Sequence, residues 1–175
     1  MNENGARPSN RLPRAWPFSP DGHRTRPARV VEAQLLSELA LRSKGHWGYS
    51  PEFLEACRAE LSYGEEQLLS ERMRFFVLDS ARRIVGFYAL ARESATEFEL
   101  EALFVEPACI GRGFGRLLIE HAKSVASSMG GTKLVIQGDP NAERFYVAAG
   151  GVLTGTRESG SIPGRFLPTF CVDLT

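Results

Sequence analysis

No stretch of this sequence approaches the roughly 18 consecutive apolar residues that a bilayer-spanning helix needs, so no membrane span is expected. Cysteine is scarce. Cys57, Cys109 and Cys171 are scattered, odd in number and without metal-ligand spacing, which argues against a disulfide framework and a zinc site. No metal is expected, and a reducing, cytoplasmic setting fits. Excess charge of either sign is also missing: Lys plus Arg and Asp plus Glu both total 21. The basic surface that nucleic acid or an anionic membrane selects is therefore lacking, and neither is expected as a partner. The N-terminus has no apolar signal core.

What remains is an ordinary globular composition, 43% hydrophobic and 24% charged over 175 residues, enough for one domain with a sizeable core. Residues 1–24 carry Pro8, Pro13, Pro17 and Pro20 among Arg, Asn, Gly and Ser without apolar periodicity, and read as a flexible leader. Residues 25–175 read as the domain.

Within it, Thr25 to Arg29 is a candidate first strand, and Val31, Leu35, Leu36, Leu39 and Ala40 follow helical spacing up to Gly45. Ser50 reads as an N-cap with Pro51 at the first helical position. Two strands, Phe75 to Leu78 and Ile84 to Ala91, flank a turn at Asp79 to Arg82. Phe98, Leu100, Ala102 and Phe104 then alternate with Glu99, Glu101, Leu103 and Val105, the period of a third strand. Helical spacing returns from Phe114 to Met129 and stops at Gly130-Gly131. A short strand at Leu134 to Ile136, a helix over Pro140 to Ala149 and strands at Val152 to Thr156 and Phe166 to Val172 complete the chain. The order implies an α/β fold with a mixed sheet, antiparallel in front and crossed by one strand-helix-strand unit.

The densest chemical signal is Ile110-Gly111-Arg112-Gly113-Phe114-Gly115-Arg116, where three glycines at every second position open a helix after a strand and a proline. Unblocked amide N–H groups and the positive end of a helix make such a turn a cradle for an anion such as a pyrophosphate. A Walker loop is excluded because Gly115 is followed by Arg116-Leu117, and a dinucleotide G-x-G-x-x-G fails because Arg116 occupies its last glycine.

This stretch resembles the acetyl-coenzyme A signature of the GNAT N-acetyltransferase superfamily, a strand with V-x-P followed by Q/R-x-x-G-x-G/A. Val105, Pro107, Gly113 and Gly115 match, and Ile110 stands where the family has Gln or Arg. Asn141 to Gly151 is similar to the second family signature, N-x-x-x-F-Y-x-x-x-G-F, with Gly151 in place of the aromatic. Ser43 to Tyr49 resembles a loop of one bacterial branch. The resemblance implies about seven strands flanked by four helices, acetyl-CoA as co-substrate, and direct attack by an amine within a ternary complex.

It also implies roles for particular residues. Phe104 and Val105 would offer backbone to the pantetheine arm where two strands splay. Ile110, Gly111, Arg112, Gly113, Phe114, Gly115 and Arg116 would surround the pyrophosphate, with Arg112 or Arg116 supplying charge in place of the missing Gln or Arg. Asn141 would bind the cofactor arm. Tyr146 would protonate the departing thiolate as general acid, since an ordinary phenol titrates near 10. Glu99, and less so Glu101 on the same face, would serve as general base. His46, Trp47 and Tyr49 would wall the acceptor pocket. A primary amine of a small molecule is the expected acceptor; a protein or peptide amine and a non-catalytic acyl-CoA-binding module are the alternatives. A homodimer through the terminal strands is compatible with the pattern.

Overall fold

The computed structural model describes residues 22–175, so nearly all of the expected leader lies outside the described residues. Seven strands form one sheet in the order β1-β2-β3-β4-β5-β7-β6, namely β1 His23–Pro27, β2 Met73–Ser80, β3 Arg83–Arg92, β4 Glu97–Val105, β5 Lys133–Gln137, β6 Val152–Glu158 and β7 Phe166–Asp173. All neighbours pair antiparallel except β4 and β5, which are joined by the crossover helix. The helices are α1 Ala33–Gly45, α2 Pro51–Cys57, α3 Glu65–Leu69, α4 Phe114–Ser128 and α5 Glu143–Ala148, with single 3₁₀ turns at Val30–Glu32, Pro107–Cys109 and Pro140–Ala142. Among the described residues there is one helix beyond the expected four. The five-residue α3 has no repeat long enough to announce itself.

The sheet divides two cores. On one face Phe114, Leu118, Ile119, Ala122, Val125 and Ala126, the inner stripe of α4, pack on Tyr88, Phe98, Leu100, Leu134, Ile136 and Phe170. On the other, Leu36, Leu39 and Ala40 of α1 and Cys57 of α2 pack on Phe75, Val77, Phe87, Ala89 and Ala102. Burying each such Leu or Phe contributes on the order of 2 kcal/mol. Helix α4 sits close because β3 carries Gly86, where a Cβ would lie 2.9 Å from Leu118 Cδ1 and 2.8 Å from the Phe104 carbonyl oxygen.

One feature of β4 departs from strict alternation. Ala89 pairs with Ala102 and Leu90 with Leu100, so Glu101 is an extra residue in β4, a β-bulge. Phe98 and Leu100 therefore face α4, whereas Ala102 and Phe104, expected on the same face by period two, turn to α1 and α2. The bulge falls in the stretch of β4 that lines the cleft described next.

Candidate functional site

β4 and β5 stay paired only from Glu97/Lys133 to Leu100/Ile136. Beyond that, β4 continues to Val105 while β5 ends at Gln137, and the strands part. A cleft of about 420 Å³ opens along this gap. The unpaired edge of β4, including Phe104 and Val105, forms its wall, and the glycine turn lies at one end.

At that end α4 begins on Gly113, whose φ of 87° is left-handed, and Gly111 likewise has φ 80°. A Cβ at either would meet nothing within 4 Å, so space is left open in front of the backbone. The first bond of the helix runs from Leu117 N–H to Gly113 O at 3.1 Å. The amides of Phe114, Gly115 and Arg116 accordingly have no acceptor within α4. Phe114 is a core residue by its ring, packed edge-on to His23 at 4.9 Å, and only its backbone faces the turn. Ile110 packs its side chain on the α4 core and donates its N–H to Pro107 O, so it brings neither charge nor a strong free donor. Arg116 lines the cleft, whereas the Arg112 guanidinium lies over the Phe114 ring, 5.6 Å from its centroid. These features fit a diphosphate held by amide N–H groups with one nearby cation.

Tyr146 lines the middle of the cleft from α5, pressed between Gly138 and Phe170. A Cβ at Gly138 would sit 2.7 Å from the Tyr146 ring, and one at Gly151 2.8 Å from its carbonyl oxygen. Glycine at 151, where the related signature has an aromatic, thus matches how tightly this tyrosine is seated. Burial, and secondarily the charge of Asp139, pushes the Tyr146 phenol well above its usual range. It stays protonated at any physiological pH.

The far end is acidic: Glu60, Glu99 and Glu101 line it. Carboxylate oxygens of Glu93, Glu99 and Glu101 all lie within 4.8 Å of one another. Glu99 is ion-paired to Arg157 of β6. Burial pushes the Glu101 carboxyl up from its ordinary value, and the negative charges of Glu99 and Glu93 add to the effect. Glu101 therefore holds a proton more readily than an ordinary carboxylate.

Of the three aromatics expected around the acceptor, Trp47 lines the cleft. His46 is exposed, packs edge-on against Trp47 at 5.4 Å and does not line the cleft. Tyr49 stacks on Phe53 at 4.2 Å and spends its hydroxyl on Asp139, Asn141 and Arg165. Asn141 lines the cleft while its Nδ2 donates to Tyr49 and Asp139. Sequence reasoning missed Asp139, which caps the 3₁₀ turn at Pro140 and ties it to Lys44 and Tyr49. No helix among the described residues is long and apolar enough to cross a membrane.

Comparison with known proteins agrees with this geometry. A family model described as an acetyltransferase (GNAT) domain matches residues 44–159. The chain is 32% identical over 103 residues to the peptidyl-lysine N-acetyltransferase YjaB of Salmonella typhimurium, a stretch covering 59% of this chain and 66% of that protein. With the Escherichia coli protein of the same name it shares 32% over 108 residues, 61% of this chain and 69% of the relative. The chain thus spans about two thirds of the length of these relatives. Among solved structures, the PaiA N-acetyltransferase of Thermoplasma acidophilum in complex with coenzyme A superposes with a TM-score of 0.71 at 20% identity, over 86% of this chain and 98% of that one.

Proposed function

This chain belongs to the GNAT family of acetyl-CoA-dependent N-acetyltransferases, and from that premise we propose that it moves an acetyl group from acetyl-CoA to the side-chain amine of a lysine in a peptide or protein. The observation that carries the reading is that one cleft joins a helix mouth suited to a diphosphate with an acidic end suited to an ammonium group. The span from Glu101 to Val105 is four steps along the strand, about 13 Å, room for the pantetheine arm along the free edge of β4. The names of the curated relatives favour lysine over the free small-molecule amine expected from sequence. An acidic wall receives either, so small amines form the second arm of the test.

The chemistry asks for three things, and the chain's own groups supply them. An alkylammonium arriving at neutral pH must lose a proton before it can attack; Glu101, directly or through a water, takes it, with Glu99 held beside it by Arg157. The neutral amine forms a C–N bond to the thioester carbonyl carbon, and amides around the gap hold the developing oxyanion. As the C–S bond breaks, the Tyr146 hydroxyl gives its proton to the departing sulfur, and the attacking nitrogen sheds its surplus proton to water, from which the phenol is reprotonated. No covalent enzyme intermediate is needed, and no Ser-His or Cys-His pair is required.

The test is thiol release from acetyl-CoA with three acceptor sets: lysine-containing peptides, diamines and polyamines, and free amino acids. Faster release with lysine peptides, giving a mass gain on the lysine, supports the proposal. Release confined to small amines would return the acceptor to the small-molecule class. Coenzyme A binding without release in any set would make the chain a binding module.

A further inference from the structure

Asp139 makes more connections than a helix cap requires. Its carboxylate, half-buried in the cleft wall, accepts from Lys44 Nζ at 2.9 Å, the Tyr49 hydroxyl at 2.9 Å, the Asn141 N–H at 3.0 Å and Asn141 Nδ2 at 2.9 Å. Arg165 Nη2 stands 3.8 Å from the same oxygen that binds Lys44, and it donates to the Tyr49 hydroxyl at 2.8 Å. The Arg165 guanidinium also lies over Phe53 and Tyr49, 4.7 and 5.2 Å from their ring centroids. Burial opposes ionisation, but the Asn141 N–H and the Lys44 ammonium hold the Asp139 carboxyl below its usual range.

Three segments far apart in sequence meet at this one group. They are the end of α1 with the loop after it (44–49), the turn that opens α5 (139–141) and the β6–β7 loop (159–165). The last is tethered at its tip as well, where Ser161 bonds Glu60 and Ile162 packs into the α1/α2 core. Capping needs only the bond from the Asn141 N–H. The remaining bonds draw two cations, Lys44 and Arg165, onto a single carboxylate oxygen. Without its charge they repel each other, and the two loops lose their common anchor.

We propose that Asp139 is a positioning residue: it clamps the two loops beside the acceptor end to the turn that leads into Tyr146, so acceptor seating and the acid's placement are set together. The clamp acts on acceptor binding and leaves the diphosphate cradle of α4 untouched. The acceptor role rests on the transferase reading; the clamp itself does not.

Asp139→Asn separates the roles, because asparagine caps as well as aspartate but brings no charge. Amide hydrogen exchange on the full chain without ligand should show 44–49 and 159–165 opening together, about tenfold faster or more, with β3 unchanged. Arg165→Met, which leaves α5 and its cap intact, should loosen the same two segments. In turnover with a lysine peptide, Asp139→Asn should raise the acceptor KM about fivefold or more while coenzyme A affinity stays within about twofold. Wild-type exchange in both segments, loosening of one alone, or a parallel loss of coenzyme A affinity would overturn the clamp. Coupled loosening in a protein that transfers no acetyl group would sink the transferase reading and leave the clamp standing.

Discussion

Glu99 and Arg157 form an ion pair that reaches from β4, over β5 and β7, to the outermost strand β6. Gln137 braces it midway, accepting from Arg157 Nε at 3.2 Å and donating to the carbonyl oxygens of Arg157 and Glu158 at 3.0 and 3.1 Å. Glu99 thereby resembles a strut more than a free base. Glu101 lies next to it, their carboxylate oxygens within 4.8 Å, and its proton affinity is raised.

This arrangement predicts unequal losses. Glu101→Gln should lower kcat by about 100-fold, in the range for removal of a general base, and Glu99→Gln by clearly less. The base works deprotonated, so kcat/KM should rise with pH through a step lying above the ordinary carboxylate range. Glu93→Gln removes one of the charges that raise Glu101 and should move that step to lower pH. An unchanged step in Glu101→Gln would assign the base elsewhere.

Tyr146→Phe keeps the ring that fills the space beside Gly138 and Phe170 and removes only the hydroxyl. kcat should fall about 10- to 100-fold with coenzyme A affinity and melting temperature near wild type. A leaving thiol of lower pKa should recover part of the loss, since it needs less help from an acid. Full turnover by Tyr146→Phe would remove the tyrosine from the chemistry.

At Gly113 the backbone is left-handed with open space in front, so Gly113→Ala meets no atom yet costs about 1 kcal/mol of strain. Relief of that strain turns the amides at the start of α4 away from their common target. Coenzyme A affinity measured by calorimetry should drop about tenfold or more, with a smaller loss of stability. Retained affinity would mean that the diphosphate sits elsewhere.

The parts of this site that sequence could reveal are those built from local backbone. The glycine turn, the Ser50 cap that accepts from Phe53 N–H at 3.2 Å, and the inner stripe of α4 all depend on neighbours a few residues away. The bulge at Glu101 is different, because it exists only in the pairing of β4 with β3, and alternation within β4 alone points the other way. Asp139 escaped for the same reason: Lys44 and Tyr49, its main partners, are 95 and 90 residues away. Tyr49 could be named as an aromatic of the acceptor loop, but its use as a hydrogen-bonding tie is a property of three segments at once.

Two groups outside the cleft, buried Glu32 and half-buried His121, set the response to acid. Glu32, only 5% exposed, accepts from Arg29 N–H at 2.7 Å and from both Arg26 terminal nitrogens at 2.9 and 3.0 Å. Burial would raise its carboxyl, but these donors prevail and hold it down to about 2 against an ordinary 4.5. Its contribution to stability is full above pH 4.5 and is lost as pH falls from there toward 2. His121, bonded to the Tyr88 hydroxyl at 2.6 Å, is lowered by burial to about 4 from 6.5. It is neutral in the native state, so its contribution is full above pH 6.5 and fades between 6.5 and 4. Stability followed by urea unfolding from pH 7.5 to 2.5 should therefore decline in two successive windows. Glu32→Gln should destabilise the fold at pH 7, because Arg29 loses its counter-charge and Arg26 is left with Asp79 alone, and should flatten the lower window alone. His121→Gln should flatten the upper window alone. A wild-type protein with level stability from pH 6.5 to 4.5 would show that His121 is solvated enough to protonate without disturbing the α4 core.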